Sequence, residues 1–166
     1  MVVDVIDSIL GEPAAGAVAA LRMHKPELAV QMQDYYDSVF QPAADSAEAL
    51  TVTERLLIAV RTASHTSSGA VVDWYVAKGF DSGVDQALVK QAKNTDEAWT
   101  GDPRTTAIMR HVDLVVTRPV DSTQNDVESL LEAGLVPMAI VALSQVVAYV
   151  SYQVRLIATL NALGAS

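Results

Sequence analysis

The feature that most constrains the fold is a long apolar segment that runs from Pro137 to about Leu163. The one candidate for a membrane span, 135–150, overlaps this segment and is interrupted by Pro137, Ser144 and Gln145. It therefore falls short of the roughly 20 apolar residues that a membrane-spanning helix requires. We expect a buried central helix whose burial organises a helical bundle, and no membrane association.

Glycine and proline residues divide the rest of the chain into further helical lengths, and no run of alternating apolar and polar residues is long enough to predict a strand. The sequence therefore predicts an all-α fold in a single domain, since 166 residues suit one core. Gly79 is expected to end the fifth of the helices. The predicted helices before the last one cover 2–10, 14–23, 26–40, 51 to the middle sixties, 70–78, 85–92, 103–118 and 121–133.

One helix start has a specific signature. Thr51 is followed three residues later by Glu54, which is the pattern of a capping box. The helix that begins there is predicted to run to a Ser/Thr-rich bend at 64–69.

Composition excludes several classes of function. The chain has 51% hydrophobic but only 5% aromatic residues, so its core is expected to consist mainly of Ala, Val, Leu and Ile. The net charge of -9 argues against nucleic acid as a partner, because phosphates would be repelled. Without any cysteine, the chain forms no disulfides, thiolate nucleophiles or cysteine-ligated metal sites.

The N-terminal residues indicate no export signal. Asp4 and Asp7 stand where a signal peptide needs basic residues followed by an apolar run. We therefore expect a cytoplasmic protein.

Two parts of the chain are weakly alike. Each begins with a leucine, Leu50 or Leu135, followed after two residues by an apolar helix that is expected to bend into a second helical stretch. The pattern fits an internal duplication, although two amphipathic helices of similar length also produce such a similarity by chance.

Stretches from three parts of the chain, the N-terminal part, the middle and the C-terminal part, together resemble a known family. The run 50–63, LTVTERLLIAVRTA, resembles the start of the core helix in the carboxymuconolactone decarboxylase and alkylhydroperoxidase D superfamily. The N-terminal stretches at 4–11, 21–22 and 35–42, and the C-terminal stretch 143–155, look like its peroxidase-related branch. The resemblance implies one AhpD-like domain over 1–166, with N-terminal helices in 1–49, a degenerate core motif region in 50–93 and C-terminal helices in 103–166.

The same resemblance implies an all-helical fold with two similar halves that assembles as a dimer, trimer or hexamer. The peroxidases of the superfamily use a Cys-x-x-Cys pair assisted by a nearby Glu and His. The corresponding stretch here, 64–75, contains no cysteine. Serine does not replace it, because a hydroxyl is far less acidic and cannot cycle through a disulfide. Thiol peroxidase activity is therefore not expected.

The first candidate site lies on the core helix. Glu54, Arg61 and His65 are separated by seven and four residues, so a continuous helix places them on one face. Arg61 could hold an anionic substrate while Glu54 or His65, as the catalytic candidates, transfers a proton. A structural ion-pair stripe explains the same pattern. Ser68, in the following bend, is a further substrate-binding candidate.

The last helix offers a second group. Ser144, Ser151 and Arg155 have the same seven-and-four spacing in an apolar segment, so we expect a buried Arg155 that needs an anionic partner. That partner could be a ligand carboxylate, which makes Ser151 and Arg155 substrate-binding candidates, or an acidic residue of the protein. The three scattered histidines lack metal-ligand spacing, and no glycine loop suits a phosphate, so neither metal nor cofactor is expected.

Two functions therefore remain open. The chain could be a pocket-bearing or assembly protein that keeps the superfamily fold without its redox centre. Alternatively, it could be a cysteine-independent lyase, isomerase or decarboxylase that performs acid–base chemistry on a small organic acid. The absence of a complete catalytic constellation favours the first.

Overall fold

The computed structural model describes residues 4–41, 49–66 and 68–164. Most of these residues are in helices, which turns and loops connect. Residue 2, where the first helix was expected to begin, and Ser67 of the predicted bend lie outside the described residues. A short 3₁₀ turn, Pro119–Asp121, was not foreseen. The α-helices are α1 Val5–Arg22, α2 Glu27–Phe40, α3 Val52–His65, α4 Gly69–Asp81, α5 Gln86–Lys93, α6 Pro103–Thr117, α7 Gln124–Glu132 and α8 Pro137–Gly164.

Helix α3 occupies the centre of the bundle. Every residue from Glu54 to Ala63 is buried, and the helix packs against α4, α5, α6 and α8. The last helix, α8, was expected to be the buried central helix, but α3 is buried over a longer continuous stretch. Helix α8 packs mainly on α1 and α3, also contacts α2, α4, α6 and α7, and leaves Met138, Val141 and Tyr152 exposed. Within the described residues α8 is the one helix long and apolar enough to cross a membrane by length and composition.

The predicted capping box starts α3. The hydroxyl of Thr51 accepts a hydrogen bond from the backbone N–H of Glu54 at 3.1 Å, and the Glu54 carboxylate accepts one from the Thr51 N–H at 2.8 Å. These bonds satisfy backbone donors that the first turn of a helix leaves unpaired. The capping box is therefore confirmed, and it fixes Glu54 at the N-terminal end of the central helix.

Two glycines behave differently from one another. Gly11 has a φ of +73° and marks a kink within α1, which joins the two short helices that the sequence predicts there. Gly79 was expected to end a helix, but α4 continues through it to Asp81. A side chain at Gly79 would lie 3.3 Å from Val89 Cγ2, so this glycine permits the close approach of α5.

The few aromatic residues are concentrated between α2, α4 and α8. Tyr149 packs edge-on against Tyr35 with ring centroids 4.8 Å apart, and Tyr75 donates a hydrogen bond to the buried Gln153. Burial raises the pKa of Tyr36 to about 12, so its phenol stays neutral. The other described members of this cluster are Phe40, Trp74 and Tyr152. It lies among α2, α4 and α8, away from the polar contacts between α3 and α6.

Candidate functional site

The buried guanidinium of Arg61 is fully hydrogen-bonded within the protein. Its Nε and Nη2 donate to the two carboxylate oxygens of Asp113 at 2.6 and 2.7 Å. The remaining donors bind backbone carbonyls of Gln91, Asn94 and Glu97 at 3.3, 2.7 and 3.0 Å. A guanidinium has five N–H donors, so Arg61 has none left for a ligand. It connects α3 to α6 and to the loop after α5, and its predicted anion-binding role is not favoured by this arrangement.

Asp113 also binds His65, whose Nε2 lies 2.7 Å from Asp113 Oδ1. Burial alone would raise the pKa of Asp113, but hydrogen bonds from His65 and Arg61, together with their charges, lower it below its ordinary value. Asp113 is therefore held as a carboxylate. The sequence predicted that Arg61 and His65 lie on one face of the helix, but not that an acidic residue, Asp113, binds both.

Glu54 lies two turns away and takes part in a separate ion pair. Its carboxylate accepts a hydrogen bond from Arg104 Nε at 2.7 Å, while Arg104 Nη1 donates to the carbonyl of Gly134 at 3.0 Å. The stripe of Glu54, Arg61 and His65 thus exists on α3, but it faces α6 as two ion-pair clusters. A catalytic role for Glu54 and His65 stays a prediction.

The candidates on α8 and in the bend are placed differently from one another. Arg155 was expected to be buried, which was wrong: it is exposed, and its Nη1 donates to the carbonyl of Ser151 at 2.9 Å, one turn earlier. Exposure is the physical reason why Arg155 needs no acidic partner. Ser68 is half-buried and precedes α4 without forming a side-chain cap. Substrate binding by Ser68, Ser151 and Arg155 also stays a prediction.

The structure contains a polar depression that the sequence analysis did not find. Two cavities of about 460 and 400 Å³ lie along α6, and both are lined by Thr106, Arg110 and Asp126. We call the two together the α6 groove. Trp99, Asp113, Leu114, Thr117, Arg118 and Asp121 also line the first cavity, and His111, Ser129 and Glu132 also line the second.

Several polar groups of this groove have no partner within the described residues. Arg110 makes no hydrogen bond or salt bridge there, in contrast to Arg61 and Arg104. Its charge is nevertheless near Asp126, whose pKa is lowered by hydrogen bonds from Thr123 and, to a smaller extent, by the positive charge of Arg110. The indole Nε1 of Trp99, the hydroxyl of Thr106 and the Nδ1 of His111 are buried and have no hydrogen-bond partner in the described structure. Buried polar groups normally have one, so these three mark where the fold leaves hydrogen-bonding capacity unused.

His111 lies at the wall of the second cavity, between α6 and α7. Burial lowers the pKa of its imidazole, and the nearby charge of Asp126 opposes this only in part. The ring is therefore favoured in its neutral form, and it is a hydrogen-bonding group of the groove rather than a fixed cation.

A sequence signal for the groove does exist. Thr106, Arg110, Asp113 and Thr117 are spaced by four, three and four residues, which places them on one face of α6. The pattern alone does not distinguish a ligand-binding face from a solvated one. The orientation of Trp99, which lies in the loop before α6, has no sequence signal at all.

Comparisons with known proteins show which known fold this chain is similar to. No protein-family model matches the sequence, and no curated protein matches it either. The chain is similar in structure to the crystal structure of an alkylhydroperoxidase AhpD core, an uncharacterized peroxidase-related protein from Ralstonia eutropha JMP134, with a TM-score of 0.72. The match covers 86% of this chain and 73% of that one, at 20% sequence identity.

The fold is AhpD-like. This confirms the all-α prediction and the fold implied by the sequence resemblance. The stretch 64–75, where the resemblance places a cysteine pair, spans the end of α3 and the start of α4. Because the chain contains no cysteine, the AhpD-like fold is present here without the thiols of a dithiol peroxidase.

Proposed function

We propose that this protein binds a small organic acid in the α6 groove and performs no thiol chemistry. The observation that supports the proposal is the guanidinium of Arg110, which lines both cavities and donates no hydrogen bond to the described residues. A guanidinium binds carboxylates with well-defined geometry, because its donors match the two oxygens. The cavities have volumes typical of sites for small molecules.

The groups around Arg110 suit such a ligand. The N–H of Trp99 can donate to a ligand oxygen, and the hydroxyl of Thr106 can donate or accept. Leu114 and Ala98 provide apolar walls in the first cavity. A small acid would satisfy polar groups that are otherwise buried without partners, which is a direct source of binding free energy.

Titration calorimetry with simple carboxylates, such as benzoate and phenylacetate, tests the proposal. Loss of a hydrogen bond to a charged group costs about 1.5 to 3 kcal/mol, so Arg110→Ala is expected to weaken binding roughly 10- to 150-fold. Arg155→Ala is the matched control, since it removes an exposed arginine on α8 that lines neither cavity. Equal effects of the two variants, or no binding of any carboxylate by the wild type, would contradict the proposal.

An acid–base enzyme acting on a small acid is the second candidate. It is supported by the His65–Asp113 pair, because Asp113 lines the first cavity while it binds the imidazole. If the bound acid reacts, His65→Gln is expected to lower kcat more than it weakens binding, since proton transfer contributes mainly in the transition state. If NMR spectra recorded over hours show no conversion of any bound acid, the binding protein is favoured over the enzyme.

A further inference from the structure

We infer that the ligand of the α6 groove carries a hydroxyl or ammonium donor beside its carboxylate, and that this donor binds Asp113. The inference rests on the proposed function. It narrows the ligand class from organic acids in general to hydroxy acids and amino acids.

The hydrogen bonds of Asp113 leave one acceptor position open. Its Oδ1 accepts from Arg61 Nε and faces the His65 ring nitrogen, whereas its Oδ2 accepts, from the described part of the chain, one hydrogen bond, that of Arg61 Nη2. Each carboxylate oxygen has two lone-pair directions, so Oδ2 can accept one more hydrogen bond. The side chain is 29% exposed and lines the first cavity.

The open position is close to the proposed anion anchor. Arg110 and Asp113 are three residues apart on α6, and side chains at this spacing are neighbours, with about 5–6 Å between their Cβ atoms. A ligand whose carboxylate binds Arg110 therefore brings a nearby substituent towards Asp113. One small molecule can reach both groups.

The charge of the groove also disfavours a plain carboxylate. Asp126 lines both cavities, and only its Oδ2 is engaged, by the backbone and hydroxyl of Thr123. Asp121 lines the first cavity as well, 3.5 Å from Arg118. Arg118 and Arg110 offset part of this negative charge. An ammonium group on the ligand adds a positive charge and a hydroxyl adds a hydrogen-bond donor for these carboxylates, whereas a plain acid brings only further negative charge.

Matched probes that differ only in the donor provide the test. We expect mandelate and phenylglycine to bind at least about tenfold more tightly than phenylacetate, measured by calorimetry on the wild-type protein. Equal or weaker binding of the donor-bearing acids would overturn this inference and leave the proposed function intact. If none of the three acids bound, both would be overturned.

Variants assign the preference to one carboxylate. Asp113→Asn should reduce the preference to about twofold or less, whereas Asp126→Asn should keep it. Asp113→Asn also weakens the pairing of Arg61, so its fold is checked by circular dichroism; if it does not fold, the probe comparison on the wild type decides alone. Loss of the preference in Asp126→Asn, with retention in Asp113→Asn, would overturn the assignment to Asp113.

Discussion

Arg61 and Arg110 are the same residue type in opposite circumstances. Arg61 is buried and fully hydrogen-bonded, whereas Arg110 is exposed beside two cavities and donates no hydrogen bond within the described residues. Sequence spacing drew attention to Arg61, because it shares a face with Glu54 and His65. The same spacing does not reveal that Asp113, 52 residues later, occupies its guanidinium.

Replacement of Arg61 should destabilise the protein strongly. Arg61→Ala leaves the Asp113 carboxylate and several carbonyls without donors, and breaking a buried ion pair in this way costs about 3 to 5 kcal/mol. Urea denaturation monitored by circular dichroism measures the free energy of unfolding. Arg61→Lys keeps the positive charge but loses the planar guanidinium group, so its free energy of unfolding should lie between those of Arg61→Ala and the wild type.

Arg155→Ala is the stability control, because substitutions of exposed residues usually change the free energy of unfolding by less than about 0.5 kcal/mol. Similar losses in Arg61→Ala and Arg155→Ala would show that the buried network contributes little.

His111 should make stability depend on pH. Its folded pKa is lowered, so the unfolded chain binds a proton at a higher pH than the folded one does. The free energy of unfolding is therefore expected to decrease as the pH falls below about 6.5, the ordinary histidine value. In His111→Gln this part of the pH dependence should disappear, as measured by urea titrations between pH 7.5 and 5. An unchanged slope would contradict a buried neutral His111.

Among the helices, apolar content did not predict position. Helix α8 is the longest and most apolar helix and contacts six others, yet it keeps an exposed face that includes Met138 and Val141. Helix α3 carries Glu54, Arg55 and Arg61 and is nevertheless buried, because its charges are hydrogen-bonded. Local signals such as caps and prolines predicted where most helices start, but the layering depends on pairs distant in the sequence.

The capping box at the start of α3 allows a matched test. Thr51→Ala removes the hydroxyl that accepts from the Glu54 N–H and is expected to cost about 1 kcal/mol of stability. Ser68→Ala alters the residue preceding α4, which forms no side-chain cap, and should have little effect. Thermal melting of both variants compares them directly, and a larger loss for Ser68→Ala would contradict this account.

For the molecule as a whole, the AhpD-like fold was predictable from the sequence, and a homo-oligomer is a further prediction. The first two helices expose several large apolar side chains, namely Leu21, Met23, Leu28 and Val30. Burying such a surface in a homo-oligomer would be favourable. The sequence resemblance predicts that this homo-oligomer is a dimer, trimer or hexamer.

Light scattering at micromolar concentration is expected to give the mass of a dimer, trimer or hexamer of the 17.7 kDa chain. Val30→Glu should lower the assembled fraction, because it introduces a charge into the apolar surface of α2. Val120→Glu is the matched control, since Val120 is 92% exposed in the 3₁₀ turn and lies outside that surface. A monomer at every concentration would refute the assembly.

The hydrogen bonds from Arg61 to the carbonyls of Gln91, Asn94 and Glu97 also affect the local fluctuations of the α6 groove. Irregular segments usually open by local fluctuations that leave the core intact. Here the segment leading to Trp99 cannot detach without stranding a charge in the bundle centre. A ligand would therefore meet a wall that is already ordered before it arrives, and little binding free energy would be lost in ordering it.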